Sequence, residues 1–248
     1  MNYIVGDIGN TSTRICLLNK KFTIIKSYIF DTKKIFEKKY FKNIIKKLSK
    51  KKVSSIIIFS SVVPLGFREI KKNLKGSKYE IIEVKSLDIK KAIKIKVKNI
   101  NQLGSDRIVN AIAAKKYKNC LVIDFGTATT FDIIKNGIYE GGVIAPGVKL
   151  SMMHLTRSTA LLPMFTLRNT QKRYGKNTKD ALNAGFIWGY EGLINNITNK
   201  ITSKWKMKYK IILTGGYANF FKNIIKRKTI VDQNITIKGI AKIYKEII

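Results

Sequence analysis

The stretch "YIVGDIGNTSTRICLL", residues 3–18, decides how this chain folds. An apolar run meets Asp7, then Gly9, Asn10 and Thr11, and apolar residues resume at Ile15. The pattern predicts a buried strand at Tyr3–Val5, a tight turn on Gly-Asn, and a second strand at Ile15–Leu18. Nearly the same design returns as "CLVIDFGTATTFDII", residues 120–134, with strands at Leu121–Ile123 and Phe131–Ile134 around a Gly-Thr turn. Asp7 pairs with Asp124, Gly9 with Gly126, Asn10 with Thr127, Ser12 with Thr129 and Thr13 with Thr130.

Backbone N–H groups in such a turn, with hydroxyls beside them, cradle phosphate oxygens. A carboxylate just before the turn repels phosphate unless a cation or its water shell lies between them. Two such turns facing each other would clamp a polyphosphate with its metal. Taken singly, each also fits an ordinary hairpin with Asp in a turn role. Two in register, each behind a buried strand, favour the phosphate reading.

The repeat continues downstream. "SSIIIFSSVVP", residues 54–64, reads as a buried strand ending in a small-residue turn. "YKIILTGGYANFFKNII", residues 209–225, reads as a buried strand, the pair Gly215 and Gly216, and a helix. The Gly pair lets a flat base approach the backbone. Helical periodicity covers Ile35–Leu48 and Asp106–Lys116. We therefore expect an α/β chain of two halves, residues 1–116 and 117–248, packed around a central cleft, with an insertion in the second at about 141–175.

In "LGSDRIVNAIAA", residues 103–114, Gly104 and Ser105 lead into an amphipathic helix with Asp106 and Arg107 in its first turn. An acid there suits the helix dipole, whereas a cation does not. A paired acid and base can position an acidic substrate that carries a hydroxyl, with Asp106 accepting the hydroxyl proton. In a loose phosphoryl-transfer transition state a weak, well-placed base suffices.

The bulk properties set limits. With 248 residues, 45% of them hydrophobic, the chain affords a substantial core. Its net charge of +34 comes from 49 basic residues, of which only seven are Arg. The lysines are scattered, and Lys, Ile and Asn share A/T-rich codons, so compositional drift accounts for the excess. Sites that fork phosphate or read bases favour Arg geometry, and no specific nucleic-acid partner is expected. No signal-peptide pattern follows Met1, and no apolar run nears the ~18 residues that span a bilayer. A cytoplasmic chain without a membrane partner is the expectation. Cys16 and Cys120 lie in strand-like runs and read as buried thiols. The one histidine, His154, reads as a helix-face residue.

Together these residues resemble the type III pantothenate kinases, actin-like ATPase-superfamily enzymes of bacterial coenzyme A synthesis. The motifs run in order across almost the whole chain: "DIGNTSTR" (7–14), "SSVVP" (60–64), "LGSDR" (103–107), "DFGTATT" (124–130), "GGVIAPGV" (141–148), "STALLP" (158–163), "NTKDALNAGFIWG" (177–189), "TGG" (214–216) and "ITIKGI" (235–240). The resemblance implies two ribonuclease-H-like domains, a homodimer, pantothenate and ATP as substrates, Mg2+, and a monovalent cation, K+ or NH4+. By position, Asp106 is the base, while Gly104, Ser105 and Arg107 hold pantothenate and Thr178 reaches it across the dimer interface. Asp7, Gly9, Asn10 and Thr11 bind metal and phosphate. Asp124 holds the monovalent cation, Thr127, Ala128 and Thr129 lie near the phosphates, and Gly215 and Gly216 border the nucleotide. Two positions depart from the pattern: Val97 stands where the family usually has a substrate-bonding Tyr, and Ile100 where it has a Pro. Two other readings compete. One is a non-catalytic regulatory relative of the Bordetella accessory-factor type, linked to nucleic acid; the other is a different actin-like enzyme, such as a sugar kinase or polyphosphatase.

Overall fold

The structure is a computed structural model that describes residues 1–50, 52–169 and 174–248. Residues 170–173 of the expected insertion lie outside the described residues.

The first sheet holds β1 (Asn2–Ile8), β2 (Ser12–Leu18), β3 (Ile24–Asp31), β4 (Val53–Ser61) and β5 (Glu80–Glu83), in the order β3-β2-β1-β4-β5. β1 and β2 pair antiparallel, as do β2 and β3, while β4 joins β1 in parallel and β5 joins β4 in parallel. The apolar runs fall on the central strands: Ile4, Val5, Ile57, Ile58 and Phe59 are fully buried. Near-continuous apolar sequence is what a strand covered on both faces requires. β3 lies at an edge and exposes Lys26 and Ser27. α1 (Lys38–Leu48) buries Phe41, Ile44, Ile45 and Leu48, one face of a 3.6-residue period. The helix expected over Ile35–Leu48 is in fact two pieces. A 3-10 turn at Thr32–Phe36 is separated from α1 by Glu37, whose ψ of 89° breaks the helical path. α2 (Pro64–Asn73) opens with Pro in its first turn, where the missing N–H is harmless.

After α3 (Ser105–Ala114) come β6 (Cys120–Phe125), β7 (Ala128–Lys135), β8 (Ile138–Pro146), α4 (Val148–Arg157), α5 (Thr178–Thr202), β9 (Lys210–Gly215), α6 (Ala218–Phe221), β10 (Thr229–Val231) and α7 (Ile235–Glu246). The second sheet runs β10-β9-β6-β7-β8, with β9 parallel to both β6 and β10. Counted within its own half, its order matches that of the first sheet. The same strand order thus occurs in both halves, as a repeated α/β design requires, and it fits the pair of ribonuclease-H-like domains that the family resemblance implies. The helix expected after the Gly pair is short, only Ala218–Phe221.

The chain divides into two compact units. One comprises Met1–Lys118, Ile133–Gly141 and Asn234–Ile248; the other comprises Asn119–Asp132 and Gly142–Gln233. In the first, α7 packs on α3. A Cβ on Gly239 would lie 1.9 Å from the Val109 carbonyl oxygen, so only glycine permits that approach. Cys16 and Cys120 are buried thiols outside any disulfide, and burial pushes the Cys120 thiol up to about 12. His154 sits on the exposed face of α4. Among the described residues, no helix is long and apolar enough to cross a membrane.

Candidate active site

In the first unit Asp7 lies next to the end of β1, opposite Arg14 on β2 and opposite Ser60 on β4. Strand ends on a parallel core are where this class of sheet gathers ligands. The following turn closes by a Gly9 N–H to Ser12 carbonyl bond of 3.0 Å, leaving Asn10 and Thr11 exposed. Beneath it, Thr13 and Thr32 are buried with their hydroxyls 3.0 Å apart, and Thr32 also bonds the Gly9 carbonyl at 2.6 Å. The turn is therefore fixed from below and open above. Arg14 is fixed too: its Nε donates to Ser27 Oγ at 3.0 Å and its Nη2 to Asn234 Oδ1 at 2.6 Å.

α3 brings the second carboxylate. Gly104 caps the helix with extended backbone, and Asp106 follows in the first turn. Asp106 Oδ1 accepts the Arg107 backbone N–H at 2.8 Å. A Cβ on Gly104 would meet that same oxygen at 2.4 Å, so the missing side chain makes room for the carboxylate. Burial raises the Asp106 carboxyl above the usual range, against the opposing pull of the Arg107 N–H, the Arg107 charge and Lys85. Asp7 is half-buried by area, yet desolvation, and then the Asp106 charge, lift it to about 7; the Ser60 hydroxyl and Arg14 oppose the rise. Two carboxylates that feel each other's charge are a ready place for a cation. Among the described residues no group of three or more metal-ligating side chains occurs.

The second unit repeats the frame with different fittings. Asp124 on β6 stands opposite Thr214 on β9. The turn closes by a Gly126 N–H to Ala128 carbonyl bond of 3.1 Å, one residue sooner than its counterpart. Ser12 therefore corresponds to Ala128, and buried Thr13 to buried Thr129. Thr129 donates to the Pro146 carbonyl at 3.0 Å, so its hydroxyl braces the turn, while Thr127 is exposed. Gly147 packs on this turn so closely that a Cβ would stand 1.9 Å from the Thr127 carbonyl oxygen. Gly215 has φ +84°, and a Cβ there would lie 2.5 Å from Asp124 Oδ1 and 2.6 Å from the Phe125 carbonyl. Its neighbour Gly216 is exposed and donates its N–H to the Phe125 carbonyl at 3.1 Å.

Of the residues expected at the site, Asp7, Asp106 and Arg107 come together in the first unit, and Asp124, Gly215 and the Thr127 turn share the second. Val97 is half-buried in the irregular segment before α3. Thr178 is the exposed first residue of α5, just after Asn177, whose side chain accepts the Asp180 N–H at 2.9 Å. The sequence reading missed Arg14 and Ser60, although both lie inside quoted motifs. It also missed Glu83, which nothing in "EIIEVKS" distinguishes from any polar residue at a strand end.

A family model described as type III pantothenate kinase matches residues 3–200. A type III pantothenate kinase of Pelagibacter ubique is 48% identical over 241 residues, covering 96% of this chain and 97% of the relative. One from a Sulfurihydrogenibium species is 34% identical over 248 residues, covering 94% and 96%. Among solved structures, a Campylobacter jejuni protein described as a Baf family transcriptional activator superposes with a TM-score of 0.64 at 24% identity, covering 98% of each chain. A Sinorhizobium meliloti protein described as a 2-dehydro-3-deoxygalactonokinase gives 0.63 at 11% identity, covering 98% of this chain and 99% of its own. At these identities the two superpositions speak to the fold alone.

Proposed function

Since the chain belongs to the type III pantothenate kinase family, and is by that membership a kinase that phosphorylates pantothenate with ATP in coenzyme A biosynthesis, we propose that Asp106 accepts the proton of the pantothenate hydroxyl. The observation that carries this reading is the paired carboxylates: Asp106 sits in the first turn of α3, close enough to Asp7 to raise its proton affinity. Gly104 and Arg107 hold pantothenate, with the Arg107 guanidinium pairing with its carboxylate, while fully buried Ser105 supports the turn between them from behind. Val97 leaves this pocket without the hydroxyl a Tyr would bring. On the first unit, Asp7, Gly9, Asn10 and Thr11 attend the phosphates. On the second, Thr127 and Ala128 do the same, Thr129 braces their turn, and Gly215 and Gly216 leave room for the nucleotide.

Asp7 fits a divalent cation such as Mg2+, because a desolvated carboxylate beside a second acid gains most from a positive partner. Mg2+, when bound, supplies charge neutralisation for the phosphate oxygens. Asp124 fits a monovalent cation, K+ or NH4+. The protein holds the acceptor oxygen in line, takes its proton at Asp106 Oδ, and excludes water from the reacting phosphate.

A homodimer fits the exposed apolar side chains Leu150, Leu161, Met164 and Trp188, which lie around α4 and α5. In it, Thr178 would serve the neighbouring copy's pantothenate. A cytoplasmic location suits a kinase that draws on ATP. The regulatory reading is not favoured.

The test is to incubate the protein with ATP, Mg2+, K+ and pantothenate and to assay for 4′-phosphopantothenate by mass spectrometry. Product is expected, reduced when K+ is withheld. Folded, ATP-binding protein that yields none overturns the assignment.

A further inference from the structure

We propose that Glu83 is a positioning residue for phosphoryl transfer: its carboxylate joins the ends of β4 and β5 to the first turn of α3, and so fixes Asp106 relative to Asp7. The proposal rests on the reading of Asp106 as the proton acceptor. Glu83 is the last residue of β5, an edge strand, and is half-buried. Its Oε1 accepts the Ser105 hydroxyl at 2.5 Å and its Oε2 accepts the Lys85 backbone N–H at 2.6 Å. The Ser61 backbone N–H is directed at the same carboxylate.

Two of these partners, Ser105 and Ser61, stand next to a paired carboxylate or to a residue that flanks one. Ser105 is fully buried and lies between Gly104 and Asp106. Ser61 follows Ser60, which stands opposite Asp7, and the next residue, Val62, donates its N–H to the Ile8 carbonyl at 3.0 Å. One side chain thus braces the strand ends beside Asp7 against the helix that carries Asp106. Its neighbour Lys85 turns its ammonium to the Asn101 carbonyl at 2.8 Å, in the segment leading to Gly104. An ionised carboxylate suits the place because every partner is a donor. An amide can keep the backbone N–H bonds only by taking them on its oxygen and turning its NH2 to the Ser105 hydroxyl, which reverses the bond that holds α3.

A side chain that merely capped the 3-10 turn at Val84–Ser86 would affect stability alone. The discriminating experiment measures kcat and both KM values for Glu83→Gln, Ser105→Ala and the double variant, with melting curves and rates normalised to ATP-binding sites. Glu83→Gln is expected to lower kcat about 10- to 100-fold, because small misplacements of reacting groups cost that much. KM for ATP should stay within about twofold of the parent, and the double variant should be no more than about twofold worse than the more damaged single. Unchanged kcat per folded molecule, or losses that multiply in the double variant, would overturn the proposal. If Glu83→Gln fails to fold, Ser105→Ala carries the test alone, since it removes only a hydroxyl, and an unchanged kcat again overturns it. Asp106→Asn is run alongside. If it stays active, the base reading fails; if it is inactive while Glu83→Gln is normal, only the positioning role falls.

Discussion

The two strand–turn–strand segments share a frame but have been fitted out in opposite ways. Around Asp7 the fold gathers charge: Arg14 across the strand pair, and Asp106 from α3. Around Asp124 it removes side chains: Gly147 and Gly215 each leave no space for a Cβ, and the position corresponding to Arg14 is Thr130. A duplicated turn can thus be given a charged setting by adding ionisable neighbours. It can equally be made a place for close backbone approach by deleting them. The difference in turn length follows the same division. The first turn exposes Asn10, Thr11 and Ser12, whereas the second closes a residue sooner and exposes Gly126 and Thr127.

The largest expected effect breaks the comparison at its chemical end. Asp106→Asn should lower kcat by roughly 10²- to 10⁴-fold, the usual worth of a positioned general base, while ATP binding persists. A near-normal rate would mean that the first half is not specialised for proton transfer. Next comes the steric end. Gly215→Ala places a methyl group at positive φ against backbone, which should cost about 1–3 kcal/mol of stability and raise the apparent KM for ATP. Denaturant melts and ATP titration would read both, and a silent variant would remove the argument that the second half was pared down for close approach.

The third prediction uses the proton. Asp7 titrates at about 7 in the fold against an ordinary value of 3.8, so between those values the folded state holds a proton that the unfolded chain releases. Stability of the ligand-free protein should therefore fall as pH rises through that window and level off above about 7. Asp7→Asn removes the liability. At pH 8 it should melt roughly 5–10 °C higher than the parent while losing activity, and the gap should close near pH 4. A lower melting point at pH 8 would show that Asp7 is not held against its charge. Smallest of all is the effect of Gly104→Ala on stability. Its Cβ crowds the movable Asp106 carboxylate and otherwise meets Val62 at an ordinary 3.5 Å, so the melt should shift by less than about 1 kcal/mol while kcat falls. Set beside Gly215→Ala, it asks whether a glycine serves the backbone or a neighbouring side chain.

Much of this was legible in the sequence because it rests on local patterning. Apolar runs that stop at Asp-x-Gly mark strand ends, and finding that design twice predicts the duplicated sheet order. The Asp106 turn was legible because a helix start carrying both an acid and Arg107 is chemically unusual. What could not be read depends on register and on distant pairing. Arg14 gains its meaning only when β2 folds back to set it opposite Asp7. Ser60 matters only because β4 lands in parallel beside β1. Glu83 sits 22 residues from Ser105, and no spacing rule links them. The one-residue difference between the two turns was invisible for a similar reason: aligning the glycines sets Ser12 against Thr129, whereas the backbone bonds set it against Ala128.

The close seat of α7 on α3, where Gly239 rides over Val109, has a consequence for the order in which the molecule is made. The two helices are separated by about 120 residues of chain, most of which belongs to the other unit. At ribosomal speeds those residues take roughly 6–25 s to emerge. Throughout that interval the side of α3 that carries Val109, Asn110 and Ile112 lacks the helix whose Gly239, Thr236 and Lys242 meet it in the finished fold. The second unit is synthesised, and is free to fold, during this wait. The helix bearing Asp106 is thus among the earlier segments to leave the ribosome and among the last to be completed, so a ribosome that stalls before residue 235 leaves Asp106 on a helix without its α7 partner.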